Sequence, residues 1–542
     1  MKINRAVLAP VLVALVAMAT GGWFLQRGAG QERNVYANAQ LFEQVLSYVS
    51  QVFVDQKDPS ELYQMAIDGL LQELGDPHTG FLPAKEYENL RIQTQGEYGG
   101  LGISILKRAG WVTIVTPLPE TPGEQAGLRA GDQIIEVNGE STRTWTDNMA
   151  VDKLRGPKGT VVDLKIARLG SDKPLEFRIV RDEIHIRSVP TAYMIDGNVG
   201  YVELISFSES STRETRDAIM KLKGEGAKGI ILDMRANSGG LLEEGVSVSD
   251  LFLPAGQPVV DTRGRWQEST QRLVASNPDE FPGMPIVVVV GPYSASATEI
   301  VAGALQDHDR ALVIGRPTYG KGSVQTVFRL ANNNHLKLTT ARWYTPSGRS
   351  IQRPWDEEHP IDENAAEDTP SDTAAQVVYK TDAGRIVTGG GGIHPDLLIN
   401  SDTTTLDERA LIEVLQRSKY LEALFAFGVR YNKEHPELRP GFPVTPALLN
   451  EFYDALRAGG VEVDRALYDR GQRWIAYQIG QEITMSRWGV AERRLRQNTD
   501  DPTIRVAAEL LAKANNPEAL FALAAEYEAA MRTAGVGPAS RK

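Results

Sequence analysis

The stretch SASATEIVAGALQD (294–307) carries two serines two positions apart, directly after the apolar run PIVVVVG (285–291). A buried strand ending at Gly291, followed by a helix starting near Ser296 or Ala297, would expose a side chain at the sheet edge. It would also aim free main-chain N–H groups at whatever binds there. A serine so placed has nucleophilic chemistry open to it, with the Ala297 N–H as an oxyanion donor. Serine is equally a favoured helix N-cap, so the stretch alone does not decide. A serine nucleophile needs a base, and TYGKGSVQ (318–325) offers Lys321 between two glycines, after the apolar run ALVIG (311–315). Lysine takes a proton only when neutral, and burial against an apolar sheet can bring its pKa from about 10.4 to roughly 7–8. The Gln325 amide, four residues on, can orient a neutral amine without adding charge. His308, between Asp307 and Asp309, offers the rival Ser-His-Asp arrangement, but QDHDR reads as a polar helix end. A third element is ILDMRANSGGLLEEG (231–245), where Gly239 and Gly240 open a helix after a strand. Glycines permit close main-chain approach, and either N–H is a candidate second oxyanion donor; a plain strand-to-helix turn is the competing reading.

The elements that must position these groups follow from periodicity. NVGYVELISF, KGIILDM, PIVVVVG and ALVIG read as strands with helical stretches between them, which predicts buried, largely parallel strands in an α/β domain over 184–402. Before it, residues 96–183 alternate short apolar runs with glycine and read as a small β-rich domain. LFEQVLSYVSQVFV and ELYQMAIDGLLQEL make 31–95 helical. From 403 to 542 the sequence is again helical, with Ile475, Ile479 and Ile483 at four-residue spacing and no defensible chemical motif. DEEHPIDENAAEDTPSD (356–372) holds eight acidic residues and no Lys or Arg, and reads as a solvated loop.

With 542 residues the chain is long enough for three or four domains. A net charge of −12 argues against a nucleic-acid partner. The absence of cysteine excludes a thiol nucleophile, cysteine-ligated metal and disulfides. The basic MKINR followed by the uncharged AVLAPVLVALVAMATGGWFL (6–25) is long enough to span a bilayer, with the rest of the chain on the extracytoplasmic side. A cleaved signal peptide competes with an uncleaved anchor within 1–30; no clean A-x-A site precedes Gln31, which favours the anchor.

Taken together, DMRANSGG, YSASATEIVAGALQDHDRALVIGRPTYGKGSVQ and YTPSGRSIQ (344–352) resemble the carboxy-terminal processing peptidases, Ser/Lys-dyad proteases with a PDZ domain. The resemblance runs in order over roughly 35–400. It implies Ser296, not Ser294, as nucleophile, Lys321 as base 25 residues later, and Gln325 as its partner. Oxyanion donors would be Ala297 with Gly239 or Gly240. It implies a multidomain α/β protein: a crotonase/ClpP-like protease core with an inserted PDZ domain, an N-terminal helical segment and an all-α C-terminal extension. Residues 96–183 resemble the PDZ domain. Gly100, Leu101, Gly102 and Ile103 match its carboxylate-binding loop, and AGLRAGDQIIEVNG (126–139) matches its characteristic stretch. Such a loop holds a peptide's terminal carboxylate while the peptide adds as a strand. The implied activity is an endopeptidase acting on proteins with apolar C-termini, without metal or cofactor. The alternatives are a gated or inactive PDZ scaffold and a binder of apolar small molecules. The chain departs from the minimal pattern in its acidic insertion, in Ser238 where proline is common, and in its long tail, which is a candidate for dimerisation, adaptor binding or covering the site.

Overall fold

The computed structural model describes residues 36–195, 197–353, 377–399 and 404–533. The apolar run 6–25 and the acidic stretch 356–372 lie outside the described residues. The chain divides into two units, one of residues up to 85 with 325–339, the other of 86–324 with 340–542.

The smaller unit contains helices over 36–52 and Pro59–Gln72. The second starts where Asp58 accepts the Ser60 N–H and Pro59 takes the first turn, a position where its missing N–H costs nothing. Strand Gly80–Leu82 runs antiparallel to residues 335–337, with Gly80 opposite Lys337 and Leu82 opposite His335.

In the larger unit, residues 103–180 form an antiparallel sheet in the order Ile103–Arg108, Trp111–Pro117, Gln133–Val137, Val161–Ala167, Leu175–Val180. Ile114, Ile134, Val162 and Ile166 are fully buried beneath helix Asp147–Leu154 and Trp145. Strand Glu97–Gly100 pairs antiparallel with Asp182–His185, so the chain enters and leaves this domain side by side. That is the geometry of an insertion.

A six-stranded sheet runs Thr191–Ile195, Val199–Glu203, Gly229–Asp233, Ile286–Val290, Leu312–Gly315 and Leu397–Leu398. From Val199–Glu203 onward its neighbours are parallel; Thr191–Ile195 is an antiparallel edge. Alternate residues face opposite layers. Val202, Ile230, Leu232, Val288 and Val313 pack under helices Ser211–Gly224, Leu242–Asp250 and Ala297–Asp307. Tyr201, Ile231, Val287, Val289 and Ile314 face the other way. A parallel sheet needs both faces covered, which is why these strands read as unbroken apolar runs.

The second face is covered by the tail. Ile504, Ala507, Leu510 and Leu511 of helix Pro502–Lys513, with Leu520 and Ala524 of helix Pro517–Thr533, complete that layer. Residue 403 therefore does not separate a finished core from an appendage. The rest of the tail has its own core, in which Ile475, Ile479 and Ile483 are all fully buried. It also meets the inserted β-domain, where the Arg108 guanidinium lies 3.9 Å from the Phe425 ring centre and donates to the Leu421 carbonyl.

Candidate active site

Strand Ile286–Val290 is wholly buried and ends at the turn leading into helix Ala297–Asp307. The two serines of that turn have different environments. The Ser294 side chain is fully buried, accepting from the Gly291 N–H at 3.0 Å and donating to the Met234 carbonyl at 2.9 Å. Its hydroxyl is spent on holding the turn together. Ser296 is partly exposed at the helix N-cap with φ 57° and ψ −117°. Positive φ is disfavoured for a side chain with a Cβ and costs on the order of 1–3 kcal/mol. Such strain persists only where the surroundings impose it.

Much of that imposition comes from Glu299, one turn into the helix. Its fully buried carboxylate accepts four hydrogen bonds: the Ser296 N–H at 2.8 Å and the Lys321 N–H at 2.9 Å on Oε2, the Gly320 N–H at 2.7 Å and the Thr318 hydroxyl at 2.5 Å on Oε1. Because Oε2 binds both, the main-chain nitrogens of Ser296 and Lys321 lie within 5.7 Å, the sum of 2.8 and 2.9 Å. Burial pushes the Glu299 carboxyl above its usual range, against the pull of the four donors. The Tyr319 N–H adds a link to the Ser294 carbonyl. The lysine turn is further fixed by the Trp343 indole N–H on the Lys321 carbonyl and by Gln352 Oε1 on the Gly322 N–H, each at 3.0 Å. Gln325 belongs to the smaller unit, where its amide donates to Thr339 Oγ1 at 3.1 Å.

The glycine turn after strand Gly229–Asp233 reaches the same place. A Cβ on Gly239 would stand 2.7 Å from the Ala295 carbonyl and 2.8 Å from Ser296 Cβ. Asn237 laces the turn to the serine helix: its carbonyl accepts from the Thr298 hydroxyl at 2.8 Å and from the Ala295 N–H at 3.2 Å. Asn237 Oδ1 takes the Gly239 N–H at 2.9 Å. The Gly240 N–H makes no hydrogen bond among the described residues, and neither does that of Ala297. At the head of the turn, the buried Asp233 accepts from the Tyr201 hydroxyl and from the Arg235 guanidinium. Burial alone would raise the Asp233 pKa; the charge and hydrogen bonds of Arg235 more than offset it and hold the carboxyl below the ordinary range.

His308 caps the opposite end of the helix, where its ring bonds Asp382 and the Pro258 carbonyl. Twelve residue steps at 1.5 Å each put it about 18 Å from Ser296. It is not the base.

In the β-domain, Gly102 has φ 69°, and its carbonyl accepts from the Leu118 N–H and the Thr121 hydroxyl. The Leu101 carbonyl takes the Gly123 N–H, and Leu101 itself is buried. Ile103 opens a strand at the edge of its sheet, so one side of that strand is unpaired among the described residues.

Residues 198–358 match the model of peptidase family S41, and 89–167 match that of the PDZ domain. The carboxy-terminal-processing protease of Bartonella bacilliformis is 43% identical over 325 residues, covering 59% of this chain and 74% of that one. The chain belongs to peptidase family S41. The corresponding protease of Synechocystis is 37% identical over 295 residues, covering 53% of this S41 peptidase and 68% of the relative. Among solved structures, the photosystem II D1 C-terminal processing protease aligns at 26% identity and a TM-score of 0.36, over 66% of this chain and 86% of that one. The protein is thus a serine-type carboxy-terminal processing peptidase, with a PDZ domain of the kind that binds peptide C-termini.

Sequence reasoning passed over three groups at this S41 site: Glu299, Asn237 and the Asp233–Arg235 pair. Glu299 carried a readable signal, because serine followed three residues later by glutamate at a helix start is a capping box.

Proposed function

We propose that the peptidase holds the apolar C-terminus of an unfolded protein on the PDZ loop Gly100–Ile103 and cuts upstream with a Ser296/Lys321 dyad. Neutral Lys321 accepts the Ser296 hydroxyl proton as Oγ attacks the peptide carbonyl carbon. The N–H groups of Ala297 and Gly240 stabilise the oxyanion; Gly240 is preferred over Gly239 because Asn237 already occupies the Gly239 N–H. The Lys321 ammonium then protonates the leaving amine, and a water deprotonated by Lys321 hydrolyses the acyl-enzyme. Gln325 is assigned to orienting the lysine amine. The scheme calls on no metal or cofactor. In the same reading the core is crotonase/ClpP-like, and residues 6–25 anchor the enzyme with its catalytic part on the extracytoplasmic side.

The observation that carries this reading is the pairing of a strained, accessible Ser296 with the Lys321 turn on one oxygen of Glu299. The test is cleavage of an unfolded protein with an apolar C-terminus, followed by mass spectrometry. Ser296→Ala and Lys321→Ala should each abolish cleavage while Ser294→Ala retains it. Cleavage by Ser296→Ala at the wild-type rate would refute the scheme.

A further inference from the structure

The carboxyl ends of the parallel strands, where open α/β sheets gather their chemistry, are held from outside by the tail. Arg494 pairs with Glu203 at the end of strand Val199–Glu203, and Asn498 Nδ2 donates to the Tyr193 hydroxyl at 3.0 Å. One contact reaches the glycine turn itself. Arg235 Nη1 donates to Asp501 Oδ2 at 2.5 Å, across 266 residues of sequence, while the other guanidinium nitrogens hold Asp233.

Asp501 divides its two oxygens between two tasks. Oδ1 caps helix Pro502–Lys513, accepting the Thr503 N–H at 2.8 Å and the Ile504 N–H at 3.1 Å. Among the described residues Oδ2 serves Arg235 alone. That helix is packed into the second face of the catalytic sheet through Ile504, Ala507, Leu510 and Leu511, so the carboxylate is fixed relative to the strands. Arg235 lies one residue beyond Met234, whose carbonyl holds Ser294, and two before Asn237, whose carbonyl holds the serine helix. Its guanidinium is therefore gripped on one side by its own strand and on the other by the tail.

We propose that Asp501 is a positioning residue for the reaction, using the tail to fix Arg235 and, through it, the glycine turn of residues 237–240 that faces Ser296. This rests on the reading of Ser296 as nucleophile and of the turn as its oxyanion donor. It gives the helical extension a part in catalysis rather than in assembly alone. A misplacement of about 1 Å in such a turn costs up to about 100-fold in rate, so loss of the Asp501 contact should lower kcat about tenfold or more and leave KM within about twofold.

The test uses the full-length protein with Asp501→Asn and Asp501→Ser. Both residues are good N-caps, so both keep the helix start, and neither presents a carboxylate oxygen to Arg235. Cleavage of a short chromogenic peptide that does not engage the PDZ domain is measured beside the melting temperature and the amide hydrogen exchange of residues 234–241. The proposal expects a lowered kcat, an unchanged KM, a melting temperature close to wild type, and faster exchange in 234–241. Wild-type kcat and exchange in both variants would overturn it. A fall in kcat matched by a fall in the fraction of folded enzyme would also overturn it, because the role would then be structural only. Inert wild-type enzyme with faster exchange in the variants would sink the dyad reading while leaving the positioning contact in place.

Discussion

Replacing Glu299 by glutamine tests the site at its most connected point. The change keeps shape and removes one acceptor. Glutamine has a single carbonyl oxygen, whereas the carboxylate now satisfies two donors on each of its oxygens. If that oxygen stays on the Ser296 and Lys321 N–H groups, the new NH2 group faces the Gly320 N–H and the Thr318 hydroxyl. Thr318 can rotate to accept, but the Gly320 N–H is left buried without a partner. An orphaned buried donor costs about 1–3 kcal/mol, and charge-assisted bonds reduced to neutral ones lose about half their strength. Relief from burying a charge offsets part of this. The balance is a loss of about 2–4 kcal/mol in stability. The opposite flip, with the NH2 toward Ser296 and Lys321, separates the two turns. In the first orientation the lysine turn is loosened at Gly320, in the second the serine and lysine main chains lose their common tie, and either should lower kcat, by about 100-fold where the tie is lost. Urea denaturation gives the first quantity and cleavage of a short chromogenic peptide the second. A Glu299→Gln enzyme with wild-type midpoint and wild-type kcat would refute the argument.

Three further outcomes follow from the same geometry. Gly239→Ala places a methyl group against the Ala295 carbonyl and Ser296 Cβ at a φ of +100°, and should cut the rate of Ser296 labelling by an active-site phosphonate by about 100-fold or more; unaltered labelling would count against the turn's role. Gly102→Ala drives a Cβ to 2.3 Å from Thr121 Cβ, and should weaken binding of a peptide with a free C-terminus about tenfold or more by fluorescence anisotropy while sparing cleavage of a short chromogenic peptide. In the wild type, Asp233 sits below the ordinary carboxylate range, so it contributes stability above its unfolded pKa that is lost as pH falls through the folded one. Arg235→Gln leaves that buried charge unpaired, costing about 3–5 kcal/mol at pH 7; burial then raises the pKa, so the deficit should shrink as urea denaturation is repeated toward pH 4.

The central strands were legible because residues such as Val287, Val288 and Val289 are buried on both faces, which leaves an apolar run and no alternation. Ser296 and Lys321 stood out as candidates because a strand, a turn and a helix are local events with local residue signals, and the structure places both in such turns. The choice between Gly239 and Gly240 was not legible, since it turns on where the Asn237 side chain points. The hairpin of Pro258–Gly264 with Gln271–Val274 escaped notice because its exposed edge, with Arg263, Gln271 and Arg272, dilutes the strand pattern. Asp501 was invisible as anything but a helix cap: nothing within a few residues of position 501 reports a partner 266 positions away. The same holds for the tail as cover for the sheet, because an amphipathic helix announces its apolar face and not what that face meets.

The cover has a consequence for how the molecule comes into being. Ile314 is made 188 residues before Pro502, and at 5–20 residues per second that is a delay of roughly 10–40 s. During that interval the growing chain holds most of a parallel sheet with one greasy face open to water. The Arg235 turn likewise waits for its distant counter-charge. If Asp501 positions that turn as proposed, the turn receives its last brace only when the tail docks, and full cutting competence comes after the rest of the sheet has been made.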